Sequence, residues 1–331
     1  MRACCAGLCA GAQVYLMGAG VIAPVCGNSA WLASLAAVPS CALAAALCRR
    51  WRARRRMTRT GAALLAAALF CLSVFACASL AAIAGQALLP RAQGVRVAVI
   101  SAAFVLGCAA CGAGLARLCF LVRAALPAVM ILCAVLAAPD RTLSGIFPLL
   151  GRGALPLGVS ALMMAASCVP VLLLLLPPPE IEAHEEAMPQ ARFFACRAAA
   201  GAGAGCALLF LFCAGGTPQA ISGAAEWGER LVMLSGSGAH QGLSDTVLLI
   251  AMTAAAALYA ACMLAAGQEA LAAARPGAGC AGLAVQGVLL IAVLLAFSVH
   301  GPDAAMAAAP LSALPAAGAL IFGHRKKEGA R

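Results

Sequence analysis

Charge is scarce in this sequence: 10% of its 331 residues are Asp, Glu, Lys or Arg, against about a quarter in a soluble globular domain. Aromatic side chains make up only 5%, and there are 2 tyrosines. The 11 acids and 4 histidines are scattered through connections and helix ends. They form no carboxylate pair, no nucleophile–base set and no ligand cluster, so neither catalysis, a metal centre nor a cofactor is expected. What fills the chain is apolar, at 64% of residues, with a mean hydropathy of +1.01. A secreted enzyme, a nucleic-acid binder and a disordered chain are thereby excluded. At about 20 residues per crossing, the length leaves room for roughly ten membrane spans.

The 18 cysteines would mark a disulfide scaffold in a small secreted chain. Here they lie inside apolar runs, as Cys71, Cys77, Cys108, Cys119, Cys133, Cys206 and Cys262 do, and read as small apolar residues. Cys108-x-x-Cys111 has no further ligand beside it and reads the same way. Abundant Ala and Gly let membrane helices approach closely.

Ten apolar runs follow one another, at about 3–25, 31–48, 61–89, 95–115, 118–138, 155–176, 193–214, 246–266, 280–299 and 304–322. They form one transmembrane domain over 1–331, with a first repeat at about 3–138, a second at about 155–299, and spans nine and ten at about 280–323. Between the second and third spans stand seven arginines, Arg49, Arg50, Arg52, Arg54, Arg55, Arg56 and Arg59, the strongest orientation signal in the chain. With ten spans, Arg91, Arg96, Arg141, Arg152 and Arg230 fall on one side and the other 17 of the 22 basic residues on the opposite side. That bias predicts cytoplasmic N and C termini. An odd number of spans would separate the Arg49–Arg59 cluster from the basic C-terminal tail.

Two spans carry interruptions. Gly18, Ala19, Gly20, Val21 and Pro24 break up the first, through backbone freedom and a missing N–H. Ala166, Ser167, Cys168 and Pro170 fall in the middle of the sixth. Transporters built from two inverted five-helix repeats place unwound segments at such positions, five spans apart. Their freed N–H and C=O groups line a cavity instead of facing lipid. Half-helix N-termini suit a carboxylate, and carbonyls suit an ammonium or a cation, so an amino-acid-like ligand is expected there. The same residues also fit ordinary proline kinks. Trp31 reads as an interfacial anchor, and Arg117 either snorkels or serves an inner gate or subunit contact.

The chain resembles the spore germination permease family, the GerAB-type B subunits of spore germinant receptors. The resemblance rests on Gln13, the Gly18-to-Pro24 segment and Asn28-Ser29-Ala30-Trp31-Leu32-Ala33. It extends to Gly114-Leu115-Ala116-Arg117, Pro127, Leu143, Phe147-Pro148-Leu149-Leu150, Gly153, Pro156 and a Pro315-to-Lys327 tail. It implies the helical fold of the amino acid/polyamine/organocation superfamily, with spans one and six interrupted. It also implies germinant binding in the inner spore membrane, in company with an A-type membrane subunit and a C-type lipoprotein subunit. An amino acid or polyamine transporter acting independently is the alternative. No acid falls near the centre of a span, which favours a sensor or passive facilitator over a proton-coupled carrier.

Overall fold

The structure, a computed structural model, describes residues 2–85, 93–137, 153–175, 196–204, 207, 241–275, 279–300, 307–322 and 324–325. Nearly all of these are helical. α1 (Arg2–Met17) passes into a π-helical segment, Gly18–Ile22, then Ala23–Cys26 and a 3-10 turn at Gly27–Ser29. Gly27 adopts φ 54 there, a left-handed conformation that suits a residue without Cβ. Ala30–Leu35 continues after one turn residue into α2 (Ala37–Arg54). Then come α3 (Arg59–Ile83), α4 (Gly94–Ala110), α5 (Ala113–Ala137), α6 (Ala154–Leu175), α7 (Gln241–Ala274) and α8 (Gly279–His300). A short helix, Ala308–Leu311, precedes α9 (Ala313–Ile321), and residues 196–204 are also helical.

Among the described residues, five helices are long and apolar enough to cross a membrane: Ala30–Trp51, Arg59–Ile83, Gly114–Leu132, Ala154–Leu173 and Thr246–Ala274. Shorter apolar helices accompany them at Gly7–Ile22, Gly94–Ala110, Gly282–Ser298 and Ala308–Ile321. Leu43, Leu121, Leu162, Ile250, Val288 and Leu314 are each more than half exposed, a liability in water and ordinary against lipid. The interior is knitted from small residues. Ala255, Ala256, Ala257, Ala260 and Ala261 of α7 are buried, and α7 makes its largest helix contact with α3. Gly203 comes so close to α2's approach that a Cβ there would sit 2.7 Å from the Ser34 carbonyl oxygen. Gly203→Ala is therefore expected to cost about 1–3 kcal/mol by overpacking, read as a lower melting temperature in detergent.

Side-chain contacts fix helix directions. Met17 meets Ser167 and Cys26 meets Ser160, so the first span runs antiparallel to α6. Ser40 reaches Ala161 O and Cys48 reaches Val169 O, so α2 runs parallel to α6. Gln13 meets Tyr259 and Tyr15 meets Met252, which sets α7 antiparallel to α1. Gly267 lies against Ala66 and Leu69 of α3, and Gly61 and Gly318 pair the start of α3 with the end of α9.

At that end a two-residue strand, β1 (Arg55–Arg56), pairs antiparallel with β2 (His324–Arg325), Arg55 opposite Arg325 and Arg56 opposite His324. Thr58 reinforces the join. Its Oγ1 accepts from Gly61 N at 3.1 Å as the N-cap of α3 and donates to Phe322 O at 2.7 Å, while Trp51 Nε1 donates to Leu320 O at 2.8 Å. Thr58→Ala should cost about 1 kcal/mol through the lost cap, again read by thermal unfolding. The arginine-rich connection and the C-terminal segment thus sit at one end of the bundle.

Three sequence expectations are corrected. The expected mid-membrane break of the sixth span is absent, because α6 runs as one α-helix through Ser167 and Pro170. Proline removes a single backbone bond, and unwinding would strip further groups of partners that lipid cannot replace. The turn between the fourth and fifth spans lies at Cys111–Gly112, where Gly112 takes φ 50 and Cys111 N reaches Cys108 O at 3.2 Å. Arg117 therefore lies within α5 instead of ahead of it. The eighth span is longer than its apolar run, since Ala, Gln and Glu carry α7 on to Ala274, one residue short of the Arg275 that precedes Pro276. The seventh expected span (193–214) lies mostly outside the described residues, as do the connections at 139–152 and 215–240.

Candidate functional site

The first span departs from α-helix where its sequence predicted. Gly18–Ile22 winds as a π-helix, and where such a ladder returns from i+5 to i+4 two carbonyls compete for one N–H. Gly18 and Gly20 are buried and Val21 is half-buried; the side chains of Ala19 and Pro24 lie outside the described set. The π segment packs on Ala23–Cys26 and Ala30–Leu35. Ser167 and Cys168 of α6 are buried and Ala166 is half-buried.

The two segments meet through Met17, immediately before Gly18. Ser167 Oγ lies 3.0 Å from Met17 Sδ and 3.0 Å from Met164 O, so its one proton serves one of them at a time. Gln13 Nε2 donates to the same sulfur at 3.0 Å. On the far side the Tyr259 hydroxyl donates to Gln13 Oε1, and the Tyr15 hydroxyl donates to Met252 Sδ at 2.8 Å. Gln13, Tyr15, Met17, Ser167, Met252 and Tyr259 are all buried.

This is a donor-rich interior whose acceptors are poor. A thioether sulfur is a weak acceptor, so the Gln13 amide and the Tyr15 hydroxyl rest on partners that a carboxylate would outcompete, while the Ser167 hydroxyl has Met164 O as its stronger alternative. Trp31, on the Ala30–Leu35 segment that packs against Gly18–Ile22, has a buried indole N–H without a hydrogen-bond partner. A buried donor in that condition is uncommon, and a polar ligand would satisfy it.

Of the residues predicted from sequence, Gly18, Gly20 and Val21 share the π-helical stretch and Ser167 meets it through Met17, while Cys168 is buried without a shown contact to Met17. Arg117 stands apart, exposed on α5. Arg123, one turn later, stacks over Phe120 with its guanidinium carbon 4.6 Å from the ring centroid. Sequence reasoning missed Tyr259 and gave Met17 no role. The available signal was scarcity, since the chain holds 2 tyrosines and both lie on the α1–α7 contact. Neither a protein-family model nor a curated protein matches this sequence.

Proposed function

We propose that this chain is a ten-span membrane protein that binds a small zwitterion between α1 and α6, as the permease-like subunit of a spore germinant receptor. The observation that carries this reading is a π-helical turn beside buried donors resting on a thioether. In binding, the ligand carboxylate takes the Ser167 and Gln13 donors from Met17, and the Trp31 N–H belongs to the segment that packs against Gly18–Ile22. The ligand ammonium sits against the carbonyls that compete for one N–H at the Gly18–Ile22 junction, which act as half-helix C-terminal dipoles do. α6 contributes side chains here, since its backbone is fully helical.

The helix directions support two inverted five-helix repeats. Spans one and six run antiparallel, as corresponding spans of inverted repeats do. α2, α6, α7 and α9 all run opposite to α1 and α3, in keeping with alternation over ten spans in which a seventh crosses between α6 and α7. The excess of basic residues at the joined end supports cytoplasmic termini. The partners are then the A-type and C-type subunits, in the inner membrane of the spore, and ligand binding triggers the ion release that commits the spore to germinate.

The test is deletion of this gene alone, with spores scored on a panel of amino acids. Loss of response to one class of amino acid, restored by the wild-type gene only in the presence of the A-type and C-type subunits, is the expected result. Uptake of that amino acid by vesicles holding this chain alone overturns the receptor reading in favour of an independent carrier. A same-side requirement adds a topological check: probes at Arg55 and Arg325 must be reached from the same face of the membrane, and opposite faces overturn the ten-span order.

A further inference from the structure

We propose that Cys5, Cys119 and Cys262 form a thiol site for a soft monovalent metal ion, Cu(I) in its chemistry, where α1, α5 and α7 converge. The Sγ atoms of Cys5, Cys119 and Cys262 all lie within 4.8 Å of one another, and Cys119 Sγ stands 3.4 Å from Cys262 Sγ. A trigonal ion with metal–sulfur bonds of about 2.3 Å holds its sulfurs about 4.0 Å apart, inside that range. Cys9, one turn along α1 from Cys5, is buried but stands outside this group of three. Three helices from distant parts of the chain deliver these thiols to one point. Cys77, as deeply buried on α3, stands outside the cluster.

The donor set selects the ion. Sulfur is a soft ligand that favours Cu(I), whereas Mg, Ca and Mn take oxygen. Zinc also accepts thiolates, but charge argues against it here. A monovalent ion is neutralised by one thiolate while the other sulfurs bind as thiols, whereas a divalent ion requires two thiolates to form in a membrane interior where every ionised group is costly. In the binding step the ion sheds its solvent or chelator ligands and forms three Cu–S bonds, one S–H bond breaks and its proton leaves to solvent; nothing is oxidised or reduced. Cys5 is half-buried while Cys119 and Cys262 are buried, so the ion enters past Cys5. Cys5 lies about three turns along α1 before Met17, and copper retention is a readout that does not depend on the zwitterion reading.

The experiment takes the full chain in detergent, reduced and anaerobic, and titrates Cu(I) against a chromogenic Cu(I) chelator. The intact protein and Cys77→Ala should retain equimolar copper, with a sulfur-only shell in X-ray absorption, while Cys5→Ala/Cys119→Ala loses it with unchanged helical content. Release of copper from the intact protein at the same chelator concentration as from the double variant overturns the proposal. So does retention of Zn(II) in preference to Cu(I), or a Cys119–Cys262 disulfide found in the native protein. Should the double variant fail to fold, the intact chain still decides. Cu(I) should then block alkylation at Cys5 and leave Cys111, exposed at the α4–α5 turn, reactive; equal labelling at both overturns the site.

Discussion

Ser167→Trp is expected to abolish germinant binding and the germination response while the protein still accumulates in the membrane, and Gly20→Phe to do the same. Ser167 is fully buried with its hydroxyl 3.0 Å from the Met17 sulfur, so an indole placed there fills the space between α1 and α6 that a ligand needs. Gly20 is buried within the π segment, where a phenyl group covers the carbonyls proposed to hold the ammonium. Overpacking of this kind costs typically 1–3 kcal/mol, so binding must be compared at matched amounts of folded protein. Ser167→Ala separates chemistry from bulk. It removes one donor and leaves the packing nearly unchanged. A hydrogen bond to a charged group contributes about 1.5–3 kcal/mol, so affinity should fall roughly 10- to 100-fold. Thermal-shift titration with a panel of amino acids measures this. Wild-type affinity in Ser167→Ala together with a normal response in Ser167→Trp removes the site from α6.

The departure of the first span from α-helix was readable from the sequence, because two glycines and a proline within seven residues act locally on the backbone. Ser167, by contrast, was singled out for a break that α6 does not have. Hydropathy likewise located α2, α3, α5, α6 and the centre of α7, since lipid demands a continuous apolar stretch. It failed at Cys111–Gly112, where every neighbour is small and apolar and only the left-handed φ of Gly112 reveals the turn. It failed again at Pro170, which reads as a breaker although α6 absorbs it. Tyr259 could not be placed at all: it lies 246 residues from Gln13, and no local pattern connects them. The thiols of Cys119 and Cys262 are similarly non-local, and only the one-turn spacing of Cys5 and Cys9 hints that sulfur gathers on a face of α1.

Because the Tyr259–Gln13 contact fixes how α1 is rotated, its removal should register both in stability and at the ligand. Tyr259→Phe takes the donor from a buried amide oxygen and leaves it unpaired, which costs about 1–3 kcal/mol. Gln13→Leu leaves the Tyr259 hydroxyl unpaired in turn and removes one of the donors on Met17. With both changes the contact becomes apolar on each side, and the double variant should recover much of the loss, giving a coupling of about 0.5–3 kcal/mol. Denaturant unfolding in detergent measures all corners of this cycle; simple additivity dissolves the claimed link between α1 and α7. The ligand supplies the second readout. Tyr259 does not touch Ser167, yet with Gln13 released the amide turns from Met17 and α1 loses the rotation that presents its sulfur to α6. Tyr259→Phe should therefore weaken zwitterion binding as well, whereas Thr58→Ala, which loosens the basic end by a similar free energy, should leave it unchanged.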